Sequence, residues 1–276
     1  MKKTIEVKGQ EELIKDLTKL LKIFKVSDSE IRPHFILTGP SGSGKSLTIA
    51  TLANTLDISY IEINAAQLTK EGTSGNSLSK ALAPLANSDG KPTICFVDEF
   101  DKLFISGNCN SELAHESTNG VQNEFLKVLE SDETSVFGDY GKYVNIPIKN
   151  VLFVFAGAFN GETDIDLDRL REIGLKTEFL GRVGLVYNVQ PLTLDSLLSI
   201  FDNSLLFNTY CELFDKIDVE KATYEIKAKI TENFQNNTLG ARMINTLIHQ
   251  YFIKGGFKDK NDKKITFQKK LTFDEK

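Results

Sequence analysis

Apolar residues recur along this chain in two rhythms, and the change from one to the other divides it. Leu13, Leu17, Leu20, Leu21 and Phe24 fall at helical spacing and predict a helix from about Gln10 to Lys25. Short apolar runs follow at Phe35-Ile36-Leu37-Thr38, Ile58 to Ile63, Thr93 to Val97 and Val151 to Ala156. The second of these alternates, whereas the others are continuous, as in strands buried on both faces of a parallel sheet. Leu47 to Ala53 and Val121 to Glu130 read as helices, the latter with Val121, Phe125 and Leu129 on one face. Strands alternating with helices imply right-handed βαβ units and an α/β fold with a parallel sheet. Beyond about Tyr187 helical periodicity takes over: Leu194 to Phe207, then Ile226, Ile230 and Phe234, then Met243, Ile244, Leu247, Ile248, Tyr251 and Phe252. Gly255-Gly256 closes the last helix, and Lys264 to Phe267 is a candidate short strand. With Pro191 as punctuation, we expect a large domain over 1–188 and a small, mostly helical domain over 189–276.

One segment joins this pattern to chemistry. Gly39-Pro40-Ser41-Gly42-Ser43-Gly44-Lys45-Ser46 lies between the 35–38 strand and the helix that begins near Leu47. A strand entering a glycine-rich turn and then a helix aims backbone N–H groups and the positive helix end at a polyphosphate. Lys45 is placed to reach the β- and γ-phosphates, and the Ser46 hydroxyl to ligate Mg²⁺. A second acidic site follows the 93–97 strand, at Asp98-Glu99-Phe100-Asp101. A carboxylate there, expected beside the P-loop strand, holds Mg²⁺ through water, and Glu99 polarises an attacking water, which favours an ATPase over a kinase.

Composition narrows the partners. The 276 residues carry a net charge of −5, so no global basic field advertises nucleic acid, although a local basic stripe stays compatible with that balance. No apolar run approaches the ~20 residues of a membrane span. The three cysteines, Cys95, Cys109 and Cys211, lie far apart without CxxC spacing, which points to a reducing cytoplasm. Lys258 to Lys264 reads as a solvated charged loop.

Taken in order, these segments resemble an AAA+ ATPase of the ClpX/HslU unfoldase branch. Val7-Lys8-Gly9-Gln10 is similar to the V-x-GQ adenine segment, Gly39 to Ser46 to Walker A, and Phe96 to Lys102 to Walker B with its DEIDK continuation. Gly120 to Glu130 resembles the GVQQALLKLLEG helix, Leu152 to Phe159 the LFICGGAF strand, Thr177 to Arg182 PEFIGR, and Leu239 to Arg242 TGAR. The resemblance implies ATP and Mg²⁺ as cofactors. ATP would sit between the large and small domains, contacted by Val7, Gly39, Pro40, Ser41, Gly42, Ser43, Gly44, Lys45, Ser46, Leu47 and Arg242. Ser46 and Asp98 would serve the metal, Glu99 and Lys45 the hydrolysis, and Arg182 would act as a finger on a neighbour's nucleotide, with Arg242 as sensor 2. It also implies self-association into a ring, most simply a hexamer, acting on a protein substrate.

Several positions depart from that pattern. Gly72-Thr73-Ser74-Gly75 stands where the family has the aromatic Gly-Tyr-Val-Gly pore loop, and a Thr-Ser pair offers little apolar area for grip. Another loop, such as 105–118, is an alternative source of a gripping side chain. The stretch between Phe159 and Thr177 lacks the Ile-Gly-Phe insertion that docks the branch onto a peptidase, and with the adenine segment so near residue 1 we expect no zinc-binding adaptor domain. Ala158 occupies the sensor 1 position, with Asn160 as a substitute. A remodeller without a docked peptidase leads; a nucleotide-switched scaffold and a nucleic-acid motor or loader are the alternatives.

Overall fold

In the computed structural model the first compact unit is built on five parallel strands. The structure describes residues 10–70, 75–88, 90–104, 112–138, 141–215, 217–257 and 268–269, with 112–119, 215 and 268–269 as backbone only. Val7 of the adenine segment, Thr73-Ser74, the 105–111 loop and the 264–267 run lie outside the described residues. Two units divide the chain: Met1–Pro40 with Gly44–Gln190, and Ser41–Ser43 with Pro191–Lys276.

The first unit runs α1 (Glu11–Val26), β1 (Phe35–Thr38), α2 (Lys45–Thr55), β2 (Ser59–Asn64), a short α3 (Leu78–Ala81), β3 (Thr93–Asp98) and α4 (Glu112–Glu130). A hairpin of β4 (Glu133–Phe137) and β5 (Tyr143–Pro147) follows, then β6 (Val151–Gly157), α5 (Leu167–Glu172), α6 (Thr177–Arg182) and β7 (Leu185–Asn188). The strands order as β2-β3-β6-β1-β7, and each neighbouring pair is parallel. One expectation is corrected here. The strand that ends in Asp98 is not beside the P-loop strand, because β6 lies between β3 and β1. Local apolar patterning marks a strand as central but carries no information about which central strand pairs with which.

Alternation assigns the two faces of the sheet. Phe35, Leu37, Ile94, Phe96, Leu152, Val154 and Ala156 pack with Leu17, Leu21 and Phe24 of α1 and Ile49 and Ala53 of α2. Ile36, Cys95, Val97, Phe153 and Phe155 point the other way and meet Phe125 of α4 and Phe179 of α6. Every residue of β1 and β6 is buried, as strands covered on both faces must be. The hairpin and β7 have no clean period-2 or continuous apolar pattern, and sequence reading passed over them.

The second unit contains α7 (Leu194–Asp202), α8 (Leu205–Leu213), β8 (Phe214–Asp215), α9 (Val219–Asn233), α10 (Arg242–Lys254) and β9 (Gln268–Lys269). The helix expected from Leu194 to Phe207 is two helices. Ser204 restarts the chain, its Oγ accepting from Phe207 N at 3.2 Å as an N-cap. Leu197, Phe201, Ile226, Ile230, Ile244, Leu247, Ile248 and Phe252 form its core. Gly255, left-handed at φ 78°, terminates α10.

His34 ties α1's connection to the sheet. It precedes β1, is buried, and its Nδ1 accepts the Phe153 N–H at 3.0 Å. Burial, with Arg32 adding to it, lowers its pKa to about 3. Below pH 6.5 the unfolded chain therefore takes up a proton that the folded chain refuses, and stability falls as pH falls. Between pH 6.5 and 5 the loss is about 2 kcal/mol at 1.36 kcal/mol per unit. Urea denaturation at pH 7 and pH 5 is expected to show this extra loss in the wild type and not in His34→Asn.

Candidate nucleotide site

The carboxyl ends of β1, β3 and β6 lie along one edge of the sheet. Register aligns Thr38 of β1 with Gly157 of β6, and Val97 of β3 with Phe155. Gly39, Asp98, Glu99 and the Ala158–Asn160 turn therefore emerge at the same edge, with β6 as the spacer between the loop and the carboxylates.

The glycine-rich loop is built for an anion. Gly39 has φ 145°, and a Cβ there would come within 2.6 Å of Val189 O and 2.8 Å of Val189 Cβ. Its backbone approaches β7's exit because no side chain intervenes. Gly44, left-handed at φ 89°, starts α2 with no capping side chain and no acidic residue in the first turn. The helix thus presents its leading N–H groups and positive dipole end uncompensated. Lys45 Nζ folds over the loop, donating to Gly39 O at 2.6 Å and Pro40 O at 3.0 Å. The Ser43 and Thr48 hydroxyls are buried without a hydrogen-bond partner among the described residues. Orphaned donors of this kind fit a polar ligand such as a polyphosphate.

The acidic turn is equally constrained. Asp98 Oδ1 accepts from Glu99 N at 2.9 Å. Glu99 stands exposed in the left-handed region at φ 54°. That conformation is costly for a non-glycine residue and is held by what flanks it. Before it runs buried β3; after it Phe100 is fully buried against Phe155, Phe179 and Phe125. Asp101, 1% exposed, accepts from Phe159 N through Oδ2 at 3.3 Å. Its Oδ1 has no partner among the described residues and lies so close to Gly157 that a Cβ there would approach to 2.6 Å. Phe159 and Asn160 are themselves left-handed. Asp101 thus joins the β3 turn to the β6 turn, a role that spacing did not single out; the signal was an acidic residue between the apolar Phe100 and Leu103.

Gln10, which ends the segment similar to V-x-GQ, is buried, with Nε2 donating to Gln190 O at 3.3 Å and Oε1 unpartnered among the described residues. Within the second unit, the loop tip Ser41–Ser43 associates with 239–242: Ala241 N donates to Gly42 O at 3.0 Å, and Arg242 Nη1 lies 3.3 Å from Ser41 Oγ. Arg182 is placed elsewhere. It ends α6 just before Leu185, which pairs with Phe35 at the amino end of β1. Arg182 is therefore at the sheet edge opposite its own glycine-rich loop.

A family model for ATPases associated with various cellular activities (AAA) matches residues 35–176, more than half of the chain. The chain belongs to the AAA family of ATPases. Its sequence is 27% identical over 271 residues to the ATP-dependent Clp protease ATP-binding subunit ClpX 2 of Wolinella succinogenes, covering 85% of this chain and 68% of that protein. The ClpX subunit of Bacteroides fragilis is 27% identical over 80% of this chain and 64% of its own length. That of Porphyromonas gingivalis is 25% identical over 85% and 68%. This AAA ATPase thus spans about two thirds of the relatives it matches. Among the described residues no helix is long and apolar enough to cross a membrane.

The close approach of Gly39 to Val189 yields a test. Gly39→Val puts branched carbon into that contact and strains φ. ATP affinity by calorimetry is expected to fall at least about tenfold, with a loss of roughly 1–3 kcal/mol in stability by urea titration.

Proposed function

We propose that this AAA ATPase is a ClpX-like protein remodeller that hydrolyses ATP as a ring, most simply a hexamer, in the cytoplasm and without a docked peptidase. The observation that carries this reading is the division of its charged groups between two sheet edges. Lys45, Ser46, Asp98 and Glu99 belong to the edge where β1 and β3 end, whereas Arg182 belongs to the opposite edge. An arginine so placed serves a neighbour's nucleotide rather than its own.

On this reading the phosphates rest on the N–H groups of the 39–46 loop and α2, and Lys45 exchanges its carbonyl partners for phosphate oxygens. Mg²⁺, held by Ser46 and through water by Asp98, would neutralise charge on the β- and γ-phosphates. Glu99 accepts the proton of the attacking water. Arg182 of the adjacent subunit stabilises the charge that develops, and Arg242, beside the loop tip, reports nucleotide state to the small domain. The stretch from Phe159 to Thr177 has no Ile-Gly-Phe sequence, which supports action without a peptidase. A nucleotide-switched scaffold is the second reading, favoured by Thr73-Ser74 where threading relatives carry an aromatic pore residue. The net charge of −5 weighs against a nucleic-acid motor.

Glu99→Gln is expected to keep ATP affinity and lose roughly 10²–10⁴-fold in turnover. Light scattering should find it as a ring-sized species with ATP·Mg²⁺ and smaller without. Arg182→Ala should lower kcat by about 10³-fold while nucleotide affinity stays within twofold. A monomer of Glu99→Gln with and without ATP would sink the ring, and full turnover in Arg182→Ala would sink the shared site.

A further inference from the structure

Arg182 does not extend into solvent alone. Its Nη2 is 3.0 Å from Glu130 Oε1, and the two side chains are 54% and 48% exposed. Glu130 is the last residue of α4 and Arg182 the last of α6. Both helices finish at the edge where the strands begin: Asp132 O, two residues beyond Glu130, accepts Ile148 N, and Ile148 O accepts Val151 N at the start of β6.

We propose that Glu130 is a positioning residue that holds the Arg182 guanidinium in the orientation in which it meets a neighbouring subunit's nucleotide. This rests on the reading of Arg182 given above. The helices do not need the pair in order to pack. Phe125 of α4 and Phe179 of α6 both seat on Phe100 and Phe155, at centroid distances of 6.1 and 5.4 Å for Phe125 and 5.1 and 4.9 Å for Phe179. Lys176 Nζ donates to Asn123 Oδ1 at 2.6 Å, a further link between α4 and the segment that starts α6. The backbone at both helix ends is thereby fixed, and what is left to set is a long, half-exposed side chain.

An ion pair this exposed contributes about 0–1 kcal/mol to stability, too little to be its main consequence. The same small free energy acts on orientation instead, favouring one placement of the guanidinium by up to about fivefold. Geometry also allows two partners at once. Guanidinium carries five N–H donors in a planar fork, and Nη2 is the corner that lies 3.0 Å from Glu130 Oε1. Glu130 can keep Nη2 while Nη1, on the other side of the fork, faces an anion.

The test compares steady-state ATPase kinetics and light-scattering mass for the full-length wild type, Glu130→Ala, Glu130→Gln, Arg182→Ala and the double variant Glu130→Ala/Arg182→Ala. Glu130→Ala should lower kcat about two- to fivefold, with KM within twofold and the ATP-dependent mass unchanged. Glu130→Gln, which retains an acceptor oxygen, should recover most of that loss. The double variant should be no slower than Arg182→Ala, because the effect of Glu130 runs through the arginine. Wild-type or higher kcat in Glu130→Ala, beside an impaired Arg182→Ala, would overturn the positioning role alone. Loss of the assembled mass in Glu130→Ala, or a multiplicative loss in the double variant, would overturn it as well. Full activity in Arg182→Ala would instead remove the reading of Arg182 on which the proposal stands.

Discussion

Because the five main strands all run in the same direction, every strand leaves the sheet at one edge and every return helix delivers the chain to the other. A parallel connection cannot be closed by a tight turn, so helices must cover both faces and the strands must be apolar on both sides. In this chain that requirement is met by full burial of β1 and β6 and by two separate apolar layers. Chemistry is then excluded from the strands themselves and concentrated at their ends. At the carboxyl edge stand the loop that begins at Gly39, the Asp98-Glu99 pair and the Phe159-Asn160 turn. At the amino edge stand the last residues of α4 and α6, Glu130 and Arg182.

The turn after β3 shows how precision is obtained at the carboxyl edge. Glu99 is exposed and left-handed, a combination that isolated peptide would abandon. It persists because Phe100 is inserted into an aromatic layer and Asp101 is engaged by the Phe159 N–H. If Glu99 is the general base proposed above, it gains little from being near a water molecule while its own position wanders. Rotational freedom lost beforehand, through folding, need not be lost again in each turnover. The close contact of Asp101 with Gly157 carries the same constraint across to the neighbouring strand, so the two turns are set relative to each other.

Much of this was legible in sequence wherever the determinant is local. The Gly39–Ser46 run, the apolar strands flanking it and the carboxylates after Val97 are each contained in a few consecutive residues. What could not be read was relational. The insertion of β6 between β3 and β1 depends on pairing between distant segments, and a continuous apolar run is equally compatible with either order. The break between α7 and α8 was hidden because Leu205 to Phe207 continues the apolar rhythm, while Ser204 interrupts the backbone through a cap. The β4–β5 hairpin was missed because only Val136 and Ile146 among its residues are buried, which is too sparse a pattern to register. Arg182 was singled out by resemblance, but Glu130 could be associated with it only once α4 and α6 were seen to end together.

The same polarity bears on assembly. If Arg182 completes a nucleotide site, it does so from the amino edge of one sheet to the carboxyl edge of another, so each subunit offers two unlike halves. Contacts between unlike surfaces are heterologous, and repeating them generates either a closed ring or an open helix, according to whether the rotation closes. A two-fold dimer is isologous instead: it joins the same patch of both subunits and closes at two copies. A ring is thus one of the two assemblies that this polarity allows, and the rotation between subunits decides which. On the proposal for Glu130, its pair with Arg182 sets the side-chain orientation that the backbone leaves open.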